Sequence, residues 1–478
     1  MRYTAIALDY DGTIAHDGAV PARVLDGLAR LKASGRRLLL VTGRELEGLR
    51  GIFPGIALFD LVVAENGALL YDPAKDERRE LGEPPPARFV EALKATGIPL
   101  AVGHTILATV RPHEKTVLEC IAALGLEQQV IFNKGAVMVL PPGCNKASGL
   151  KRALKALGLS PRNVVAAGDG ENDHAMLDLA EYAVATANAI APLKEAADYV
   201  TRATHGEGVL EVIEGLLGSD LATLPPKRRR RALSFGVGAD GAEIVLPSRR
   251  ASLLVAGEPR DTTRLAKSIL LRLAKAGYQV CVADSRGDYA DFAPAVVFGT
   301  AENPPAVEEI LTALDKPEVQ VVTCLAAIAP EERPAFIEQL RGPLRELRAT
   351  RGRPHWYLID EALDVLPASA EGDVARTSAE NVIFVSADPA ALPPRLLNAV
   401  DGVAACGPLA RATLEALAGT LGWAPPAIAS GPVGDDEALV WLRRTERPAM
   451  KVSLRESAPV DANAREKSTE VGNVLRRA

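Results

Sequence analysis

Short apolar runs alternate with amphipathic segments along roughly the first 215 residues, and this alternation restricts the fold more than any other feature of the chain. The runs predicted as strands are 5–8, 37–41, 163–167 and 182–185, and the segments predicted as helices are 20–33, 146–157 and 172–180. Such alternation favours a parallel sheet covered by helices, with ligands at the carboxyl ends of the strands. The predicted fold class is therefore α/β.

The alternation is interrupted once and restarts later, which predicts several domains. Between Pro84 and Pro141 a helix, a strand, a second helix and a hairpin-like pair replace it, as expected of a small inserted cap. A chain of 478 residues is also too long for one ordinary core. The predicted division is 1–83 and 141–217 for the core, 84–140 for a small α+β cap, 218–231 for a linker, 232–456 for a second α/β domain and 457–478 for a polar tail.

Charge and hydropathy exclude several classes of partner. A net charge of -6 gives no overall attraction to nucleic acid or to an anionic membrane, and the basic run 227–231 is more typical of a solvated linker than of a nucleic-acid site. No apolar run reaches the roughly 20 residues that cross a bilayer, and the first residues lack the pattern of a signal peptide. The five cysteines are scattered, as is typical of reduced thiols. We expect a cytoplasmic protein without a membrane partner.

Two aspartates follow the first predicted strand and are separated by one residue. Strand geometry places Asp9 and Asp11 on the same side, so one carboxylate can attack phosphorus while the other transfers a proton. Gly12 permits the tight turn that follows them. Taken alone, the pattern fits a solvated Asx turn equally well.

Three further elements occur in a fixed order after this pair. Thr42 and Gly43 end the second strand with a hydroxyl and backbone donors that suit a phosphate oxygen. Lys146 begins an amphipathic helix. Asp169 and Asp173 follow another strand, and carboxylates at this spacing can share a hard cation with the first aspartate. Each element has an ordinary reading by itself, as a helix cap, a solvated lysine or an acidic loop.

Together, these elements resemble the haloacid dehalogenase (HAD) superfamily of phosphatases over roughly residues 1–215. The segment Glu65–Ala68, the inserted cap and the GDGEND loop at 168–173 are similar to the Cof-type, class IIB branch, and the short cap resembles that of phosphoglycolate-phosphatase-like members. The resemblance implies a HAD-type Rossmann-like sheet and a Mg²⁺-dependent phosphoric monoester hydrolase. It implies a small phosphorylated metabolite as substrate, of sugar phosphate or phosphoglycolate type. Phosphate transfer by a phosphomutase of the same superfamily stays open as an alternative.

The resemblance also implies a role for each residue of these motifs. Asp9 would be the nucleophile that forms an aspartyl-phosphate, and Asp11 would be the general acid/base. The residues implied to contact the phosphate are Thr42, Gly43, Lys146 and Asn172, and those implied to bind Mg²⁺ are Asp9, Asp11 through its backbone carbonyl, Asp169 and Asp173. The cap residues Arg111, His113 and Lys134 could meet an anionic substrate, although solvated surface positions are expected for all three.

The second alternating series follows a hairpin-like stretch at 233–247. Its predicted strands are 252–256, 279–284, 319–324, 356–360, 382–386 and 402–406. The strand after Ala251 and the acidic end of 355–361 resemble P-loop ATPases of the HerA/FtsK type. The phosphate loop departs from that pattern, because only Gly257 remains and the Gly-Lys-Ser/Thr end reads Thr262-Thr263-Arg264.

This degenerate loop predicts no nucleotide-binding residues in the second domain. The expected roles are those of a scaffold, a surface for homo-oligomer formation or a regulator of the first domain. The alternative is a nucleic-acid-associated ATPase-like protein with an appended phosphatase.

Overall fold

The computed structural model describes residues 1–227, 230–238, 243–246, 251–366, 381–422, 427–428, 431–443 and 448–454. The tail predicted over 457–478 and two arginines of the basic run lie outside these ranges. Among the described residues, no helix is both long and apolar enough to span a membrane.

The N-terminal part contains two sheets, of which the larger has eight strands among the described residues. Its elements and those of the smaller sheet are, in chain order, β1 (Ala5–Leu8), α1 (Ala22–Ala33), β2 (Arg37–Val41), α2 (Leu46–Ile52), β3 (Leu61–Ala64), β4 (Leu69–Asp72), β5 (Glu77–Glu80), α3 (Ala87–Ala95), β6 (Ala101–Val102), β7 (Leu107–Val110), α4 (Glu114–Ala123), β8 (Gln129–Asn133), β9 (Ala136–Leu140), α5 (Lys146–Ala156), β10 (Val164–Gly168), α6 (His174–Leu179), β11 (Tyr182–Ala185), α7 (Ala191–Ala196), β12 (Tyr199–Val200) and α8 (His205–Ser219). The strand order of the larger sheet is β12-β11-β10-β1-β2-β3-β4-β5.

Strands β12 to β3 of that order pair in parallel, and β4 and β5 continue the sheet in the antiparallel sense. The parallel strands read as continuous apolar runs because helices cover both faces. On one face, Leu28 of α1 and Ile213 of α8 pack on Ile6 and Leu8. On the other face, α5 contributes Leu150 to a second core cluster. The predicted parallel α/β fold is confirmed.

The inserted segment forms a four-stranded antiparallel sheet with the order β6-β7-β9-β8. Helices α3 and α4 pack against it through Phe89, Leu93 and Val117, which are fully buried against Leu107 and Val139. The predicted helix, strand, helix and hairpin between Pro84 and Pro141 are present, but the structure has a second short strand, β6, between the two helices.

The C-terminal part contains a third sheet, with eleven strands among the described residues. Its elements are β13 (Leu233–Gly238), β14 (Glu243–Leu246), β15 (Ser252–Ala256), α9 (Pro259–Lys275), β16 (Val280–Asp284), β17 (Ala295–Phe298), α10 (Val307–Leu314), β18 (Gln320–Cys324), α11 (Arg333–Arg351), β19 (Trp356–Ile359), α12 (Ala362–Val365), β20 (Val382–Ser386), α13 (Pro394–Ala399), β21 (Gly402–Cys406), α14 (Ala410–Thr420), β22 (Glu437–Leu442) and β23 (Met450–Ser453). The order is β14-β13-β23-β22-β21-β15-β20-β19-β16-β18-β17, in which β21 to β17 are parallel. A second α/β unit is therefore present, as predicted.

The two large sheets meet through buried polar side chains. Glu181 accepts hydrogen bonds from Tyr278 Oη at 3.0 and 3.2 Å and pairs with Arg2 and Arg162. His355 Nε2 lies 3.1 Å from Asn163 Oδ1, while its Nδ1 accepts a hydrogen bond from the backbone N–H of Gln279 at 2.7 Å. These contacts join the N-terminal and C-terminal units by polar groups rather than by a shared apolar core.

Candidate active site

The site lies where β1, β2 and β10 end, at the carboxyl edge of the parallel sheet. Asp9, Thr42 and Asp169 directly follow these three strands, and all three are buried. Because the strands are neighbours and parallel, residues distant in sequence meet at one edge. This is the edge at which the sequence predicted a ligand.

Lys146 links two of the predicted carboxylates. Its Nζ lies 2.6 Å from Asp9 Oδ1 and 2.6 Å from Asp173 Oδ1, and its side chain is 1% exposed. The helix begins at this residue because Asn145 and Ser148 form a capping box, in which each side chain accepts a hydrogen bond from the other residue's backbone N–H. The cap therefore fixes the lysine at the first position of α5.

The charges of this cluster influence one another. Burial, with Asp173 close by, raises the pKa of Asp9 to about 7 although Lys146 opposes the shift. Burial alone would lower the pKa of Lys146, but Asp173 and Asp9 hold it above its ordinary value. Burial also raises the pKa of Asp169, against the effect of Lys134. Three carboxylates in one buried site thus favour additional positive charge.

The arrangement of oxygens fits a divalent cation. Carboxylate oxygens of Asp9, Asp169 and Asp173 lie within 4.8 Å of one another. Asp169 Oδ1 is buried and has no hydrogen-bond partner, which is the condition of an oxygen available to a metal. A Cβ added at Gly12 would lie 2.1 Å from Asp169 Oδ2, so a glycine is needed beside this carboxylate. Hard oxygen donors of this kind suit Mg²⁺.

The Asp173 side chain also binds the backbone of the loop that follows β10. Its Oδ2 accepts hydrogen bonds from the backbone N–H groups of Asp169 and Gly170, both at 2.9 Å. Its other oxygen is bound by Lys146. The side chain therefore orders the loop that presents Asp169, besides contributing charge to the cluster.

Asp11 faces away from this buried cluster and pairs with Arg44. The guanidinium donates from Nε to Asp11 Oδ2 and from Nη2 to Oδ1, both at 2.7 Å, and it also lies over the Tyr10 ring. A bidentate pair of this kind fixes the orientation of the carboxylate. Arg44 directly follows Thr42 and Gly43 in the sequence, but its contact with Asp11 was not predicted.

Three of the residues predicted to contact phosphate, Thr42, Gly43 and Asn172, have contacts with one another or with neighbouring residues. Thr42 Oγ1 accepts a hydrogen bond from the backbone N–H of Arg44 at 3.1 Å, and a Cβ at Gly43 would lie 3.4 Å from Asn172 Nδ2. Asn172 Nδ2 donates to Asn66 Oδ1 at 2.9 Å. Among the four residues predicted to contact phosphate, Gly43 and Asn172 lie next to each other, and Lys146 contacts Asp9.

Three site residues were not predicted. Thr13 Oγ1 donates to Asp9 Oδ2 at 3.1 Å, and Asn188 Nδ2 donates to Gly12 O at 2.7 Å and to Asp169 Oδ2 at 2.9 Å. Glu65 is fully buried and binds the turn between β6 and β7. Asn188 follows shortly after strand β11, and its position near the carboxyl end of a fourth parallel strand is the signal that could have identified it.

Of the three cap residues considered in the sequence analysis, one contacts the carboxylate cluster. Arg111 is exposed and lies over the Phe132 ring, and His113 is half-buried, so neither reaches the carboxylates. Lys134 does reach them, because its Nζ lies 2.5 Å from Asp169 Oδ2 and 3.2 Å from Asp11 O. Lys134 is exposed, as expected, and in addition its ammonium group contacts the buried Asp169 carboxylate. The turn at Lys134 and Gly135, with φ of 48° and 86°, projects this side chain from the cap into the site.

The fold and the carboxylate–lysine cluster define an α/β enzyme of the haloacid dehalogenase type, and the comparisons agree. Residues 6–82 and 128–213 match the haloacid dehalogenase-like hydrolase family. A phosphoglycolate phosphatase of Methanothermobacter thermautotrophicus is 33% identical over 224 residues, which are 45% of this chain and 99% of that protein. The chain therefore belongs to the haloacid dehalogenase-like hydrolases through its N-terminal part.

Two further similarities cover the same part of the chain. The 5-amino-6-(5-phospho-D-ribitylamino)uracil phosphatase of Escherichia coli is 28% identical over 263 residues, covering 45% of this chain and 97% of that protein. The crystal structure of a haloacid dehalogenase-like hydrolase from Bacteroides thetaiotaomicron is 23% identical, with a TM-score of 0.41, covering 45% of this chain and 99% of that one.

Proposed function

We propose that this protein is a Mg²⁺-dependent phosphatase in which Asp9 attacks a phosphoric monoester and becomes an aspartyl-phosphate. The observation that carries this proposal is the position of the Asp9 carboxylate, which is held by Lys146 at one oxygen and by Thr13 at the other. A carboxylate fixed at both oxygens is oriented for attack on a phosphorus atom. The named phosphatase relatives over the same residues support this assignment.

The surrounding donors would hold the phosphoryl oxygens. We assign this contact to the Thr42 hydroxyl, the Gly43 backbone N–H, Lys146 and the Asn172 amide. Lys146 contacts Asp9, and Asn172 lies beside Gly43, which supports the assignment. Positive charge and fixed donors at the transferring group stabilise the charge that develops there. Lys146 also offsets the charge on the nucleophile.

Asp11 is assigned the proton transfers. It would donate a proton to the oxygen of the leaving alcohol and then accept one from the water that hydrolyses the aspartyl-phosphate. In this structure both oxygens of Asp11 accept hydrogen bonds from Arg44, so the proposed proton transfers require this ion pair to open.

The site residues also fit the cation that HAD phosphatases generally use. Asp9, the carbonyl of Asp11 and Asp169 would hold Mg²⁺, with Asp173 as the further predicted ligand and as the residue that orders the loop. Bound Mg²⁺ neutralises the repulsion between the phosphate and the nucleophile.

The substrate is proposed to be a small phosphorylated metabolite, of phosphoglycolate or sugar phosphate type. The cap covers the carboxylates closely enough for Lys134 to contact Asp169, which restricts the size of the molecule that fits beneath it. The name of the relative from Methanothermobacter thermautotrophicus supports the phosphoglycolate type.

Phosphate release from p-nitrophenyl phosphate, phosphoglycolate and a panel of sugar phosphates, with Mg²⁺ and with EDTA, tests the proposal. Wild type should release phosphate only with Mg²⁺, Asp9→Asn should release none, and Asp26→Asn, a substitution of an exposed aspartate on α1, should match wild type. Absence of release from every substrate by wild type would overturn the phosphatase assignment. Phosphate transferred to a second sugar without release would show a mutase instead.

For the C-terminal unit we infer a degenerate P-loop fold that serves as a scaffold. In the sheet, β15 lies between β21 and β20, and β19, which is followed by Asp360, lies next to β20. This strand order supports the relationship to P-loop ATPases. Only Gly257 and Glu258 connect β15 to α9, and a Cβ at Gly257 would lie 2.6 Å from Cys406 O. So short a connection lacks the loop of backbone N–H groups that wraps a phosphate.

The same proposal includes the domain boundaries given above, with 218–231 as the linker. It also includes a homo-oligomer that forms through the C-terminal unit. ATP turnover and ATP binding by equilibrium dialysis should both be absent, and DNA should not be retained. Turnover that is lost in Asp360→Asn would instead establish a working ATPase. Light scattering of the full chain tests the oligomer.

A further inference from the structure

Lys134 belongs to the cap, yet it contacts two of the oxygens that fit the cation. Its Nζ lies 2.5 Å from Asp169 Oδ2 and 3.2 Å from the carbonyl oxygen of Asp11. The Asp169 side chain is 2% exposed, whereas the Lys134 side chain is 41% exposed. The lysine therefore approaches from the solvent side and reaches a buried oxygen.

The turn that carries Lys134 is seated on the loop that presents Asp169. A Cβ added at Gly170 would lie 2.4 Å from Asn133 Oδ1, so the cap turn packs directly on the glycine backbone. The backbone N–H of Lys134 also lies 3.4 Å from Glu171 Oε2. The position of the ammonium group is thus set by the packing of the turn, in addition to its charge.

Glu65 provides a second and separate contact between the core and the cap. Its carboxylate accepts hydrogen bonds from the backbone N–H groups of His104, Thr105 and Ile106 at 3.0, 2.7 and 3.1 Å. These donors belong to the turn between β6 and β7, and none of them is a cation ligand. The cap also packs on the core through an apolar cluster in which Ala68 packs with Ile106, Met138 and Leu140. Of these contacts between cap and core, the one at Lys134 involves the oxygens of the proposed cation site.

We propose that Lys134 and Mg²⁺ compete for Asp169 and the Asp11 carbonyl, so that binding of the cation releases the β8–β9 end of the cap. Lys134 occupies Asp169 Oδ2, while Oδ1 of the same carboxylate is buried without a hydrogen-bond partner. An ammonium group and a cation held by the two oxygens of one carboxylate would lie close together, where like charges repel strongly. Anything that binds one state and not the other shifts the equilibrium between them. The inference rests on the Mg²⁺ site of the proposed function.

Released from Asp169, the ammonium group is free to pair with an anionic group of the substrate under the cap. Lys134 is then a positioning residue. Without Mg²⁺ it holds the cap to the core carboxylates, and with Mg²⁺ bound it holds the cap to the substrate. Cation loading and substrate entry are coupled by a single side chain.

Isothermal titration of the full-length protein with MgCl₂ alone, at fixed ionic strength, tests the competition. Lys134→Met should bind Mg²⁺ about threefold to tenfold more tightly than wild type, which corresponds to loss of an ion pair of intermediate exposure. Lys134→Arg, which keeps the charge, should remain near wild type. Lys115→Met, at an exposed lysine on α4 of the same cap, is the matched control and should not change the affinity.

Equal or weaker Mg²⁺ binding by Lys134→Met would overturn the inference and leave the proposed function intact. Failure of wild type to bind Mg²⁺ at all would overturn both. Hydrogen exchange adds a readout of the cap itself, because Mg²⁺ should increase exchange in 129–140 of wild type and not in 101–108, which Glu65 holds. Unchanged exchange in 129–140 would also contradict the release.

Discussion

Gly12 shows how closely the site is packed at the scale of single residues. It has a φ of 84°, and a Cβ there would lie 2.1 Å from Asp169 Oδ2. Gly12→Ala is therefore expected to displace the Asp169 carboxylate. We predict a loss of phosphate release of about 100-fold or more, because misplacement by an ångström has effects of this size. Initial rates and Mg²⁺ titration measure the change.

Gly18→Ala is the control for that substitution. Gly18 has a φ of 78°, but the nearest atom to an added Cβ is Arg44 Nη2 at 4.0 Å. It carries the same backbone penalty of about 1 to 2 kcal/mol without the clash. Equal rates in the two variants would show that backbone strain, and not displacement of Asp169, causes the loss.

Lys146 is predicted to stabilise the fold as well as the reaction. Lys146→Met leaves Asp9 and Asp173 buried without their common counter-ion, and the pair then lacks the charge that offsets its burial. We expect phosphate release to be lost and the free energy of unfolding to fall by about 3 kcal/mol at pH 7. Urea denaturation measures this, with Lys115→Met as the exposed control. A stability equal to that of the control would contradict the prediction.

Sequence reasoning found the residues that directly follow strands, since strand ends of a parallel sheet must meet. Asp9 and Asp169 were predictable for this reason, Asp173 from its spacing of four residues after Asp169, and the role of Lys146 from the family resemblance. Lys134 was not, because its distance from Asp169 depends on how the cap docks on the core. No spacing along the chain encodes that docking.

The turn between β6 and β7 is the cap element whose position depends on a core residue. Glu65 accepts four hydrogen bonds from it, including one from the Thr105 hydroxyl at 2.8 Å. In Glu65→Gln an amide NH₂ group replaces one carboxylate oxygen. This group cannot accept hydrogen bonds from the backbone N–H groups that it faces. We predict that hydrogen exchange of 103–108 rises about tenfold or more, as expected when roughly 1.4 kcal/mol of local stability is lost.

Glu80→Gln is the matched control, because Glu80 is exposed on β5 and no ion pair is recorded for it among the described residues. It should leave the exchange of the turn unchanged. Exchange in Glu65→Gln that matches this control would mean that Glu65 does not anchor the cap.

The elements that were predicted agree with the structure within about two residues, but several strands, among them β3, β4 and β17, were not predicted. The helix predicted from 172 begins at His174, because Asp173 uses its side chain to bind the backbone N–H groups before it. Strand β5 was not predicted, since its residues Glu77–Glu80 are all exposed and charged and carry no apolar signal. Pairing with β4 alone makes this segment a strand.

At the scale of the whole molecule, His355 makes the contact between the two units sensitive to pH. Burial, with Arg2 and Arg353 nearby, holds the pKa of His355 well below its ordinary value of 6.5. The folded protein therefore keeps the ring neutral, while the unfolded chain takes up a proton below about pH 6.5. Stability is complete above that pH and is lost as the pH falls towards the folded-state pKa. We predict that the ring itself contributes a loss of about 1 to 2 kcal/mol between pH 6.5 and 5, measured as the difference between wild type and a variant without the ring.

Urea denaturation across this range, compared with His355→Gln, isolates the contribution of the ring. The variant should be less stable at pH 8, because the ring bonds to Asn163 and Gln279 are changed, and its stability difference from wild type should shrink as the pH falls from 6.5 to 5. His113→Gln, in the cap, should follow wild type. A pH dependence of His355→Gln as steep as that of wild type would contradict the prediction.

The junction between the two units was beyond sequence reasoning. Each unit was predictable from its own alternation of strands and helices. The pairing of Glu181 with Tyr278 and of Asn163 with His355 joins residues that lie on different units and belong to no motif. Polar contacts of this kind become visible only when both units are placed.

The order of strands in the first sheet has a consequence for synthesis of the chain. β1 pairs with β2 on one side and with β10 on the other, and about 120 residues separate the end of β2 from β10. At roughly 5 to 20 residues per second, a ribosome takes about 6 to 25 seconds to make them. The cap, whose strands pair only with one another, is translated during this interval and can fold first. In a nascent chain the cap can therefore be folded while one edge of β1 is still unpaired, because β10 has not yet been synthesised.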